Sequence, residues 1–150
     1  MAQAAFARIA DARRVDKPWG YELIWAETEG YVGKVIHIYA GRRLSLQYHD
    51  QKLETQMLIA GRAKLIADGP DGALDEVEMM PWKGYTIRPY QRHRLVAIDD
   101  CDVIEASTPE AGVTVRLADD YRRPDETEEL RGQPDRGWAL ADSESHSRAP

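Results

Sequence analysis

The chain has 150 residues, with 20 lysines and arginines against 26 aspartates and glutamates and a formal net charge of −6. That length suits one domain with a sizeable core, and the interspersed charges exclude the basic patch of an electrostatic nucleic-acid binder. No apolar run reaches the roughly 18 residues of a membrane span, the start of the chain lacks an apolar signal-peptide core, and Cys101 is the sole cysteine, so no internal disulfide forms and a cytoplasmic protein is expected.

Residues 2–14 are rich in alanine and arginine, with Phe6, Ile9 and Ala10 on one side of a helical wheel. They predict a short N-terminal helix, within a segment 1–16. From Tyr21 the texture changes to short runs rich in valine, isoleucine and tyrosine, at 21–25, 32–40, 56–59, 63–67, 77–80, 85–88, 94–98, 103–106 and 113–117. Turn signals divide them, including Ala60-Gly61, Asp68-Gly-Pro-Asp-Gly72 and Thr108-Pro-Glu-Ala-Gly112. Strands at about ten-residue spacing with no long helical pattern between them predict an all-β barrel or sandwich over 17–123. After Tyr121 the periodicity stops. Residues 124–150 carry arginine, acids, glycine, proline and serine around an isolated Trp138, and predict an extended or disordered tail. Cys101, in Asp99-Asp-Cys-Asp102, reads as a loop or strand-edge thiol.

The chemistry concentrates in two blocks. In Gly41-Arg-Arg-Leu-Ser-Leu-Gln47-Tyr-His49, followed by Glu54 and Gly61, Gln47 and His49 are two apart and so share one face of a strand. His93 lies in a second block, 84–95. Two imidazoles, a carboxylate and an amide oxygen make a mixed nitrogen and oxygen set around one divalent cation, with zinc first and manganese, iron, cobalt or nickel as alternatives. The competing reading makes both histidines ordinary half-buried residues and Glu54 a surface carboxylate. His37, flanked by Ile36 and Ile38, is expected on the opposite face, and His146 lies in the tail. Tyr48, between two proposed ligands, should face away from them.

These residues resemble the cupin superfamily, whose first motif runs glycine, five residues, histidine-x-histidine, three or four residues, glutamate, six residues, glycine. Gly41, Gln47, His49, Glu54 and Gly61 follow that spacing, with glutamine in place of the first histidine. The resemblance extends to the cupin domain of type II mannose-6-phosphate isomerases, often fused to mannose-1-phosphate guanylyltransferases. Lys17-Pro-Trp-Gly-Tyr21, Lys34-Val-Ile36, Leu44-Ser-Leu-Gln47, His93-Arg-Leu95, Val115-Arg116 and Asp120-Tyr121 carry it. It implies a jelly-roll double-stranded β-helix, a metal held by Gln47, His49, Glu54 and His93, and catalytic roles for Lys34 and Arg116 at substrate phosphate or enediolate oxygens. It also implies a sugar-phosphate substrate and a homodimer. The chain departs from the pattern at Asp50-Gln51 and Thr55-Gln56, where the family has histidines and a tryptophan, and at Pro89-Tyr-Gln-Arg-His93, one residue short and without its glycine.

The leading expectation is therefore a metal-dependent aldose–ketose isomerase of the mannose-6-phosphate/fructose-6-phosphate type. Two alternatives stay open. One is a small dioxygenase using His49, Glu54 and His93 as a two-histidine, one-carboxylate ferrous site. The other is a non-catalytic module that binds sugars or nucleotide sugars. Arg88, Arg92 and Arg94 are read as an anion-binding rim or a charged strand edge, and Trp19, Trp25 and Trp82 as wall or dimer contacts.

Overall fold

The computed structural model describes residues 8–137. Eleven strands follow in chain order: β1 Arg13–Lys17, β2 Gly20–Glu27, β3 Val32–Ile38, β4 Leu46–His49, β5 Glu54–Ala60, β6 Ala63–Asp68, β7 Leu74–Glu78, β8 Tyr85–Ile87, β9 His93–Ala97, β10 Cys101–Ser107 and β11 Thr114–Ala118. A short helix α1, Glu128–Arg131, and a 3-10 turn, Pro134–Gly137, come last. The strands form two antiparallel sheets, a six-stranded one in the order β1-β2-β3-β10-β5-β8 and a five-stranded one in the order β11-β4-β9-β6-β7. Their inner faces enclose both the core and the cavity.

Period-two alternation sets which residues point inward, and the inward residues change character along each strand. On β3, Ile38 and Ile36 give way to Lys34; on β5, Leu58 gives way to Gln56 and Glu54; on β10, Cys101 and Val103 give way to Glu105. Register aligns these changes: Val103 pairs with Ile36 and Leu58, and Glu105 with Lys34 and Gln56. The result is an apolar floor at one end and a buried polar wall at the other. Two glycines of the matched motifs are required by close approach. A Cβ at Gly20 would lie 1.9 Å from the His37 carbonyl oxygen, and one at Gly61, where φ is +75°, would lie 2.0 Å from that of Asp100.

Several expectations change. Residues 8–12 form no helix and Arg13–Lys17 is a strand; residues 1–7 lie outside the described part. Pairing of Arg14 with Leu23 and Asp16 with Tyr21 turns Val15 inward, where it is 3% exposed, and this tertiary pairing overrides local helical composition. Strand β4 carries Gln47 and His49 as their spacing predicts, with His49 its one buried residue. Cys101 is a core residue at the start of β10 rather than a loop or edge thiol, and burial pushes its thiol up to about 11. The segment after β11 is tied down as far as 137. Glu126 exchanges backbone hydrogen bonds with Thr114, at 3.0 and 2.9 Å, and the Leu130 amide donates to the Thr127 hydroxyl at the start of α1. Trp138 and His146 lie outside the described residues.

Candidate metal centre

The two sheets meet at three buried side chains. His49 closes β4 and His93 opens β9 on one sheet, while Glu54 opens β5 on the other. One donor atom from each lies within 4.8 Å of the others. His49 Nε2 is 3.6 Å from Glu54 Oε2, and His93 Nε2 is 2.9 Å from Glu54 Oε1. Tetrahedral donors at zinc–ligand distances stand roughly 3.4 Å apart, so these separations bracket what one ion needs.

The outer nitrogens orient the rings. His93 Nδ1 donates to the Gln91 carbonyl oxygen at 2.9 Å, which fixes the neutral tautomer with the Nε2 lone pair aimed inward. His49 Nδ1 lies 2.9 Å from the Thr114 hydroxyl. Both Nε2 atoms are buried without a hydrogen-bond partner. Orphaned lone pairs beside a buried carboxylate are what a divalent cation would satisfy. Gln47 lines the same cavity, in register with His93 across β4 and β9. Its Oε1 accepts from the Ser45 hydroxyl at 2.6 Å and keeps a second lone pair.

Charge around the cluster is dense and mutually paired. Lys52 Nζ sits 2.9 Å from Glu54 Oε2 and 3.0 Å from Glu105 Oε2. Burial alone would push the Glu54 carboxyl up, but Lys52 and the two imidazoles outweigh it and hold it well below the usual range. Burial lowers His49, whereas for His93 the Glu54 carboxylate outweighs burial and raises the ring. Glu105 is raised, by burial and then by the Glu54 charge.

Lys34 points inward as its alternation predicts, and Glu22, Glu105 and Glu110 surround its ammonium at 3.4, 3.8 and 2.7 Å. Arg116 lines the cavity, with Glu126 at 3.5 Å. Sequence reasoning missed Lys52, Glu105, Glu22, Glu110 and Gln56. Their signal was available: Glu54 and Gln56 precede Leu58 at spacing two, and Glu105 follows Val103 at the same spacing, each a polar residue on an apolar face. Arg92 belongs to the surface, paired with Asp68, whereas Arg94 is buried rather than part of a rim. His37 faces outward, 2.7 Å from Asp102 and stacked on Tyr21. Tyr48 lies against Tyr90, away from the ligands. Trp19 is core, while Trp25 and Trp82 are exposed.

The segment after β11 closes the cavity. Arg136 reaches Glu110 and also Glu126 at 3.0 Å, and Arg131 reaches Glu126 at 3.1 Å. The enclosed space is about 60 Å³, room for a few waters, against about 300–1,000 Å³ for pockets that take drug-sized ligands. Asp135 and Arg136 hold left-handed φ values of 47° and 56°, a conformation that costs a non-glycine residue roughly 1–3 kcal/mol.

The ion pairs predict acid sensitivity. Burial pushes the Glu22 and Glu126 carboxyls up, but Lys34, Lys17 and Arg136 at Glu22, and Lys17, Arg136 and Arg116 at Glu126, outweigh it and hold both at about 2. A carboxylate whose folded value lies below its unfolded one stabilises above the unfolded value and loses that contribution as pH falls through the folded one. Each shift corresponds to roughly 3 kcal/mol. Glu105, shifted the other way, offsets part of this. The urea midpoint is therefore expected to fall steadily from pH 4.5 to pH 2; a flat midpoint across that window would contradict the pairing.

The two-sheet barrel and its histidine–glutamate–histidine cluster define this chain as a cupin. It belongs to the family described as mannose-6-phosphate isomerase C-terminal, which matches residues 7–103. Among curated proteins it is 32% identical over 112 residues to mannose-1-phosphate guanylyltransferase of Escherichia coli (strain K12). The match covers 74% of this chain and 23% of that relative, so the chain spans about a quarter of the length of the enzyme it matches. Among solved structures it is similar to KdgF from Halomonas sp., with TM-score 0.58, 17% identity, and 65% and 88% of the two chains covered. It is also similar to oxalate decarboxylase, with TM-score 0.62, 15% identity, and 93% and 38% covered. At such identities these two likenesses speak to the fold. No helix among the described residues is long and apolar enough to cross a membrane.

Proposed function

We propose that the chain is a metal-dependent sugar-phosphate isomerase, interconverting an aldose phosphate and its ketose of the mannose-6-phosphate/fructose-6-phosphate kind. The observation that carries this reading is the buried cluster of His49, Glu54 and His93, with Gln47 beside it, in a member of this family. A bound divalent ion, zinc first, supplies polarisation of the substrate's carbonyl and neighbouring hydroxyl oxygens. The exchange moves one proton from C2 to C1 and a second from the C2 hydroxyl to the C1 oxygen, through an enediolate, with no net gain or loss of atoms. Glu105 lies beside the cluster without belonging to it, and Lys52 and the Gln56 amide at 3.2 Å hold it in place. It is the carboxylate beside the cluster that we assign to carry the proton from C2 to C1. Lys34 adds positive charge near the developing oxyanion, and Arg116 contributes to the positive field of the same cavity.

The space of about 60 Å³ in the cup is small for a hexose phosphate, and withdrawal of the strap that carries Arg131 and Arg136 would enlarge it. Removing Arg136 frees two carboxylate contacts of that strap. The Arg136→Ala variant is expected to release bound metal to a chelator about tenfold faster, equivalent to about 1.4 kcal/mol of strap closure; an unchanged rate would show that the strap does not gate the cup.

The direct test is incubation of metal-loaded protein with mannose 6-phosphate and, separately, fructose 6-phosphate, following interconversion. Absence of turnover with any hexose phosphate under several metals removes the isomerase reading, and binding without turnover would favour a non-catalytic sugar-binding module. A second reading, a ferrous dioxygenase, draws on the Ser45 hydroxyl that already occupies one lone pair of Gln47, leaving two histidines and one carboxylate as the plain ligand set. Iron-dependent oxygen uptake would select it. The homodimer is also part of this proposal, supported by exposed Trp25 and Tyr31, at 55% and 57%, and sedimentation at the mass of two chains tests it. Cytoplasmic residence is supported by the single, buried thiol of Cys101.

A further inference from the structure

Part of the cavity wall presents donors that no protein atom satisfies. Trp19 Nε1, Arg94 Nη2 and Arg116 Nε are each buried without a hydrogen-bond partner, and all three residues line the cavity of the metal cluster. Lys17 lines it as well; its ammonium stands 4.0 Å from Glu126 Oε2, beyond hydrogen-bond reach. All four side chains are at least nine-tenths buried. Their other contacts leave these donors over: Arg94 Nε donates to the Leu44 carbonyl oxygen at 3.0 Å, and Arg116 has its Nη atoms on Pro124 O and near Glu126.

A buried unpaired donor costs about 1–3 kcal/mol, more when charged. Of six such orphaned side-chain atoms among the described residues, two are the imidazole nitrogens of the cluster and three are these donors. Arg116 is in register with Gln47, Gln47 is in register with His93, and Arg94 follows His93 on β9. Lys17 and Trp19 enter from the β1–β2 turn of the facing sheet. Arg123 repels both Lys17 and Arg116, and Asp119 attracts both Arg94 and Arg116, so these three cations share one electrostatic neighbourhood. Burial lowers Lys17 to about 8 and Arg116 to about 10, an imbalance that an added anion would reverse. The wall of the whole cavity carries eight lysines and arginines against five glutamates, in a chain of net charge −6.

We propose that Trp19, Arg94 and Arg116, with Lys17, form a subsite for a tetrahedral oxyanion, the phosphate of a phosphorylated substrate whose carbonyl end lies at the metal cluster. Lys34, already ringed by three carboxylates, has no comparable capacity for it. This subsite rests on the sugar-phosphate reading only for what the phosphate is attached to; its donors stand on geometry.

The experiment is calorimetric titration of the metal-loaded full chain with inorganic phosphate, at ionic strength matched with chloride. The unmodified protein is expected to bind phosphate, and Arg94→Gln and Arg116→Gln each to weaken it about tenfold or more. Trp19→Phe deletes the N–H together with the pyrrole half of the indole, and is expected to weaken binding several-fold. Arg92→Gln, at a surface arginine, should bind as the parent does. Metal content and melting temperature of each variant separate loss of the subsite from loss of the fold. No phosphate binding by the parent, or unchanged binding in Arg94→Gln and Trp19→Phe, overturns the subsite. Phosphate binding lost in these variants, with no turnover of any hexose phosphate, leaves the subsite and removes the isomerase.

Discussion

A His49→Ala variant is expected to lose its divalent metal, with affinity at least a hundredfold weaker, and all turnover with it. The cluster offers two imidazoles and one carboxylate on buried, register-fixed strands, and the neutral Gln47 amide beside them is a weaker donor than the imidazole that would be lost. Loss of an outer partner of a ligand costs about 10–100-fold in metal affinity, and loss of the ligand itself exceeds that. Arg116→Ala, which removes no member of the cluster, should keep a full complement of metal. Metal per chain after dialysis, read by emission spectrometry, decides between them. Full retention in His49→Ala would mean that the ligands are assigned wrongly.

The largest stability effect is expected at Lys52. Its ammonium lies between Glu54 and Glu105, both almost wholly buried. Lys52→Met leaves two carboxylates close together in a low-dielectric wall, and breaking a buried pair of this kind costs about 3–5 kcal/mol. For a chain of this size that corresponds to a fall in melting temperature of about 10 °C. The penalty should be greatest in metal-free protein, where no other cation balances Glu54. Adding Glu105→Leu to Lys52→Met removes the stranded charge, and is expected to restore part of the loss. A melting temperature unchanged in metal-free Lys52→Met would show that the pair contributes nothing to the fold.

The barrel was legible because its strands are punctuated by turns with strong chemistry, such as Asp68-Gly-Pro-Asp-Gly72 before β7 and Gly61 between β5 and β6. The clustering of His49, Glu54 and His93 was legible because spacing two places Gln47 and His49 on one face, and because Glu54 and His93 fall in the two blocks whose spacing resembles the cupin motifs. What escaped was set by tertiary pairing. Alanine-rich composition near the start pointed to a helix, yet 13–17 is a strand because β2 offers a ladder and the core takes Val15. Residues 124–137 looked loose because polar residues dominate them; they are ordered by arginines and glutamates that find opposite charges in the cup, partners no local pattern reveals. The same holds for Lys34, whose inward direction followed from alternation while its three carboxylate partners come from β2, β10 and the loop before β11.

One ion gripped between two sheets is the claim on which the rest depends. Crystals soaked in zinc and measured at its absorption edge test it most directly. The account predicts one anomalous peak inside the cup, about 2.0–2.2 Å from the Nε2 atoms of His49 and His93 and from a Glu54 carboxylate oxygen. A peak elsewhere, or a cup that stays dark while zinc decorates surface carboxylates, would contradict it.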